Sequence, residues 1–201
     1  NDIRIDVGGG DYTFDNVTVE NDSMTLQPVE GEDVRFIHNG TSSPFFNVST
    51  TGGKDISGVT FQGVTMDFDT QTNATGIAVN GGSGGVDDVT IDGVTFEAAV
   101  DDAQNGTTAV DINSTAGGTD GVTITDSTFD AAPDADDVVR PATAINVSSG
   151  SSSDLKLTVE NNNFDGFDES INVSTAIDEA TITGNSFSTG NTYVETADES
   201  S

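Results

Sequence analysis

Nine asparagines stand in the pattern Asn-x-Ser/Thr: Asn16, Asn21, Asn39, Asn47, Asn73, Asn105, Asn113, Asn146 and Asn172. This triplet is the acceptor for N-linked glycan on secreted surfaces. The chain has sixteen Asn. If Ser or Thr follows two places on about one time in four, chance supplies roughly four such triplets. Against modification, Asn-Val-Ser is also a strand pattern that a repeat would copy, so both readings stand. A second chemistry is offered by the acidic pairs Asp87–Asp88, Asp101–Asp102 and Asp136–Asp137, because glycoside hydrolysis uses two carboxyl groups. With 35 Asp+Glu, a solvated acidic surface would produce such pairs by accident. The single histidine, His38, precedes the Asn39 triplet in an expected surface turn, where it carries no catalytic assignment. Ca²⁺ or Mg²⁺, which take oxygen ligands, would find their best candidates in the loops AAVDDAQNG at 98–106 and DAAPDADDVVR at 130–140. Neither loop has EF-hand spacing or a calcium-binding nonapeptide. No ligand set is assigned, and no cofactor is required.

The residues that must position these groups form a repeat. One strand motif reads GVTFQGVTMD at 58–67, DVTIDGVTFE at 88–97, GVTITDSTFD at 121–130, LTVENNNFDG at 157–166 and ATITGNSFST at 180–189. Its Phe/Met position falls on Met66, Phe96, Phe129, Phe164 and Phe187, with spacings of 30, 33, 35 and 23. A second motif recurs as FFNVSTT at 45–51, GIAVNGG at 76–82, AVDINST at 109–115, TAINVSS at 143–149 and ESINVST at 169–175. Periods of this size mean a solenoid or array.

Apolar residues alternate within each motif, the period-two signature of a strand with one buried face. Between half-strands sits Gly63, Gly93, Asp126, Asn162 or Gly184, residue types that accept the left-handed backbone of a sharp corner. Gly/Ser-rich turns close each repeat. The expected fold is all-β: a right-handed single-stranded parallel β-helix of about six to seven coils. Its interior carries a row of aromatic rings, expected to include Phe61, Phe96, Phe129, Phe164 and Phe187. Asn47, Asn146 and Asn172 take the same outward position and should stand in one column. The chain reads as a single domain, 1–201. Residues 1–40 are N-terminal capping rungs, 41–194 regular coils, and 195–201 a polar tail or the start of a linker. The N-terminus at Asn1 reads as processed or trimmed. The last rung reads as open, to be covered by further chain or by a partner.

Charge narrows the function. Five Lys+Arg against 35 Asp+Glu give a net charge of −30, spread along the chain. With no basic patch to neutralise phosphates, nucleic acid is excluded as a partner. Absence of cysteine removes disulfides and thiolate metal sites. No apolar run is long enough for a transmembrane segment. Such depletion of basic residues resembles proteins of halophilic archaea, which work where salt screens acidic repulsion.

The segment IRIDVGGGDYTFDNVTVENDSMTLQPVEGEDVRFI at 3–37 resembles the opening of pectin-lyase-like β-helix proteins. It has a short strand (Ile3, Ile5, Val7), a glycine turn (Gly8–Gly10), Tyr12, and then hydrophobic rungs through Val17, Val19, Met24 and Leu26. With the later repeats, the resemblance covers nearly the whole chain. It implies the β-helix, and it spans lyases, hydrolases, adhesins and viral spikes. Lyases of this kind use Arg or Lys beside Ca²⁺-binding carboxylates. Among the five basic residues, only Arg140 is expected near an acidic cluster at a repeated position. The leading expectation is an extracellular, N-glycosylated structural or adhesive protein of a halophilic archaeal surface. Its expected partners are itself, as an end-to-end or side-by-side homo-oligomer or filament, or cell-surface glycans. A viral spike or tail that binds receptors, and a polysaccharide lyase or hydrolase, are the alternatives.

Overall fold

The computed structural model describes residues 3–14, 16–38, 43–50, 53–68, 73–82, 84–98, 106–114, 118–131, 143–149, 154–188 and 192–196. These residues form a right-handed parallel β-helix. Three sheets run the length of the molecule, and every strand pairing within them is parallel. The first sheet passes through Ile3–Val7, Met24–Pro28, Thr60–Gln62, Val86–Asp92, Thr119–Thr125, Lys156–Glu160 and Glu179–Thr183, with the short strand Ile56–Ser57 beside Val86–Asp92. The second passes through Gly10–Phe14, Val34–His38, Thr65–Asp67, Thr95–Glu97, Thr128–Asp130, Asn163–Asp165 and Ser186–Phe187. The third passes through Val17–Val19, Pro44–Ser49, Thr75–Asn80, Thr108–Ser114, Thr143–Ser149, Glu169–Val173 and Thr192–Thr196. The strands of residues 3–38 join the same three ladders as the later repeats. Beyond Thr196 the polar tail lies outside the described residues.

A solenoid aligns equivalent residues of successive repeats about 4.8 Å apart, and the core follows from that alignment. Met66, Phe96, Phe129, Phe164 and Phe187 are consecutive register partners in the second sheet. Rings of Phe96, Phe129, Phe164 and Phe187 lie face to face at 4.9, 4.7 and 5.1 Å between centroids. Phe61 does not belong to this stack. It sits in the first sheet between Leu26 and Ile91 and packs against Phe46 of the third. The column instead runs back from Phe96 through Met66 to Phe36 and Tyr12.

Corners between the first and second sheets fall on Gly63, Gly93, Asp126, Asn161 and Gly184, with φ of 63°, 60°, 49°, 57° and 68°. The fourth corner is therefore Asn161, not Asn162. Asn162 occupies the next, inward position, which Val64 and Val94 fill in earlier rungs, and it is 1% exposed. A buried amide must be hydrogen-bonded, and this one is. Asn162 Nδ2 donates to the Ile124 carbonyl at 2.9 Å, and its Oδ1 accepts from the Ser127 backbone N–H at 2.9 Å. Asn185 repeats the arrangement one rung on, accepting from the Asn162 N–H at 2.8 Å and donating to the Val159 carbonyl at 2.8 Å.

Candidate functional site

The outward faces carry columns of like residues, and the most chemically loaded column is on the second sheet. The residue after each Phe/Met position is acidic in four successive repeats, so Asp67, Glu97, Asp130 and Asp165 are register partners. Arg35, two residues before Ile37 in the preceding strand, reaches along this column. Its Nη2 lies 2.6 Å from Asp67 Oδ2 and 3.4 Å from Glu97 Oε2. Asp67 is 7% exposed, so its charge is shielded from water and the guanidinium offsets much of the desolvation. Asp130 continues the column with its Oδ1 buried and without a hydrogen-bond partner among the described residues. Adjacent strands of a parallel ladder are ~4.8 Å apart, so the column sets acids side by side along the axis.

Arg35 is the basic residue that sequence reasoning passed over. It lies beside an acidic column at a repeated strand position, whereas Arg140 falls outside the described residues. The signal was present: TMD, TFE, TFD and NFD place an acid after the same ring position four times.

His38 also departs from expectation. It ends the strand Val34–His38, is 2% exposed, and packs edge-on against Phe45 at 4.8 Å. Its Nε2 is 2.6 Å from the Ser43 carbonyl. His38 is therefore a buried strand residue rather than a surface one, with its ring held by Phe45 and the Ser43 carbonyl.

Of the expected acidic pairs, Asp87–Asp88 is described. Asp101–Asp102 and Asp136–Asp137 lie outside the described residues, as do most of the two loops considered for Ca²⁺ or Mg²⁺. Asp88 takes a left-handed φ of 52° at the start of the first sheet, where Ser23, Gly58 and Gly121 do the same in their rungs. Asp87, the residue before it, lines a cavity of about 260 Å³ together with Asp55, Asp120 and Asp154. Burial, and then the charges of Asp120, Asp55 and Asp88, push the Asp87 carboxyl above its ordinary value. Among the described residues no three acidic or histidine side chains converge closely enough to hold one metal ion.

The sequon asparagines divide into two settings. Asn16, Asn21 and Asn73 are exposed, and Asn16 and Asn73 sit between strands at φ of 45° and 55°. Asn47, Asn146 and Asn172 stand on the third sheet in one column that runs Asn47, Ala78, Asp111, Asn146, Asn172. They are half-buried, and their side chains are joined to neighbours. Asn146 Nδ2 donates to Asp111 Oδ1 at 2.8 Å, and Asn172 Nδ2 donates to Glu169 Oε2 at 3.0 Å. Asn80 Nδ2 donates to Asn47 Oδ1 at 2.7 Å. Asn113, in the strand Thr108–Ser114, is half-buried as well. Asn39 and Asn105 lie outside the described residues.

No family model matches the chain, and no curated protein matches it in sequence. Among the described residues no helix is long and apolar enough to cross a membrane.

Proposed function

We propose that this chain is an extracellular, N-glycosylated structural or adhesive module of a salt-loving archaeal surface, built on a pectin-lyase-like β-helix. The observation that carries the reading is the exposure of Asn16, Asn21 and Asn73, three acceptor asparagines on the outside of the solenoid. The surplus of 35 acids over 5 bases supports a high-salt setting, and a stiff β-helix suits a spacer or a presenting surface. Its partners are other copies of itself or the glycans of neighbouring cells. The test is the mass of the protein isolated from its source, before and after chemical deglycosylation. A loss in sugar-sized increments is expected; an unchanged mass overturns the reading.

A second reading has one specific observation in its favour, the reach of Arg35 to both Asp67 and Glu97. An arginine beside paired carboxylates is the equipment of a polysaccharide-cleaving site. Incubation with uronate-containing polysaccharides decides it. Cleavage that disappears in both Arg35→Gln and Asp67→Asn supports an enzyme, and the absence of cleavage across the panel overturns it.

A further inference from the structure

We infer that glycan attachment in this chain selects between two kinds of sequon: the exposed inter-strand asparagines Asn16, Asn21 and Asn73 are modified, and the ladder asparagines Asn47, Asn146 and Asn172 are not. The inference rests on the glycoprotein reading above and adds to it that modification acts on the folded β-helix. Attachment joins the asparagine Nδ2 to the anomeric carbon of a sugar carried on a phosphate-linked donor. The nitrogen gives up one proton, and the phosphate carrier leaves with the electron pair of the broken bond. The reacting amide must therefore be able to leave its present partners and enter another active site.

Asn146 and Asn172 are poorly placed for this. Each points its amide at a carboxylate, Asp111 or Glu169. A carboxylate only accepts, so the group facing it must be the NH₂, the same nitrogen that would carry the sugar. Bonds to charged acceptors are roughly twice as strong as neutral ones. Glu169 also accepts from Thr143 Oγ1 at 3.1 Å, which holds the carboxylate in place. Asn47 is fixed through its oxygen by Asn80. All three also lie in the middle of paired strands, where the backbone is committed on both sides: Asn47 pairs with Thr18 and Ala78, and Asn146 with Asp111 and Asn172. Bending the triplet out costs ladder bonds on top of these side-chain bonds. Asn16 and Asn73 are exposed at left-handed backbone positions between strands, and Asn21 lies on exposed chain just before the first-sheet strand Met24–Pro28.

Site-by-site glycopeptide mass spectrometry on protein from its source tests this. Sugar increments are expected on the peptides of Asn16, Asn21 and Asn73, with bare peptides at Asn47, Asn146 and Asn172. Asn146 or Asn172 occupied as fully as Asn73 overturns the selection but leaves the glycoprotein reading standing. A protein bare at all nine sequons overturns both. Expression of Asp111→Ala in the native host adds a second arm, since it frees the Asn146 amide. The folded variant is expected to gain one glycan increment at Asn146, and an Asn146 that stays bare overturns the hydrogen-bond account.

Discussion

At the scale of single residues, the surface of this protein is dominated by carboxylates whose company decides their behaviour. Asp67 is buried against a guanidinium, whereas Asp87 faces Asp55, Asp88 and Asp120 with no cation among the groups that shift it. For Asp87 the sign of the pH effect follows directly. A carboxyl whose folded value is raised holds its proton more tightly folded than unfolded, so it costs stability once pH passes above that folded value. Asp87→Asn is therefore expected to raise the melting temperature at pH 7. The gain should shrink as pH falls through the raised value toward the ordinary 3.8. Melts of both proteins from pH 3 to 7 check this; a gain that is constant with pH contradicts it. Asn162 makes the opposite case of a buried polar group fully satisfied. Asn162→Ala strands the Ser127 N–H, at about 1–3 kcal/mol for the orphaned group, and takes one of the donors from the Ile124 carbonyl; denaturant unfolding measures the loss. Residues of this kind were the least legible in the sequence. Asn161, Asn162 and Asn163 are three identical letters, and only the backbone φ and the ladder decide which turns the corner and which enters the core. Arg35 and Asp67 are 32 positions apart, so their pairing required the register rather than any local motif.

At the scale of strands and rungs, the sequence spoke more clearly, because a period-two pattern repeated at a solenoid spacing leaves few arrangements that bury every apolar face. The Phe/Met row predicted from spacing became the stack of Phe96, Phe129, Phe164 and Phe187. The exception, Phe61, shows where pattern reading ends. In TFQGVTMD three apolar residues, Phe61, Val64 and Met66, surround one corner and all are buried, so alternation alone cannot say which one joins the stack. Phe129 sits mid-stack, fully buried, between Phe96 and Phe164. Phe129→Ala removes a ring that two neighbours and Phe167 all touch, and is expected to cost about 3–5 kcal/mol. The same change at Phe187, half-buried at the last described rung of its sheet, should cost less, since water already reaches part of its site. Chemical denaturation of the two variants side by side gives the comparison, and equal losses would show that the stack does not share its load along the axis.

At the scale of the whole molecule, the same rung repeat that builds the core also aligns the charges. A parallel ladder places like residues about 4.8 Å apart, which suits rings and amides and is costly for carboxylates. Asp67, Glu97, Asp130 and Asp165 are consecutive partners, yet Arg35 reaches the first two. A chain with a net charge of −30 must therefore rely on dissolved cations for the remainder, and screening sets how far each charge is felt. The Debye length is about 10 Å at 0.1 M salt, roughly two rungs, and about 3 Å at 1 M, less than one. At low salt each acid of a column repels its neighbours and the next ones along; at high salt the repulsion is confined within a rung spacing. The fold is expected to loosen below roughly 0.5 M salt and to melt progressively higher above it. Because the effect is screening, NaCl and KCl should act alike at equal ionic strength, whereas specific occupancy of a carboxylate column would favour one cation. Thermal melts followed by far-ultraviolet circular dichroism in both salts separate these causes. A melting temperature unchanged from low to high salt would mean that the acidic columns are already neutralised by bound protons or ions.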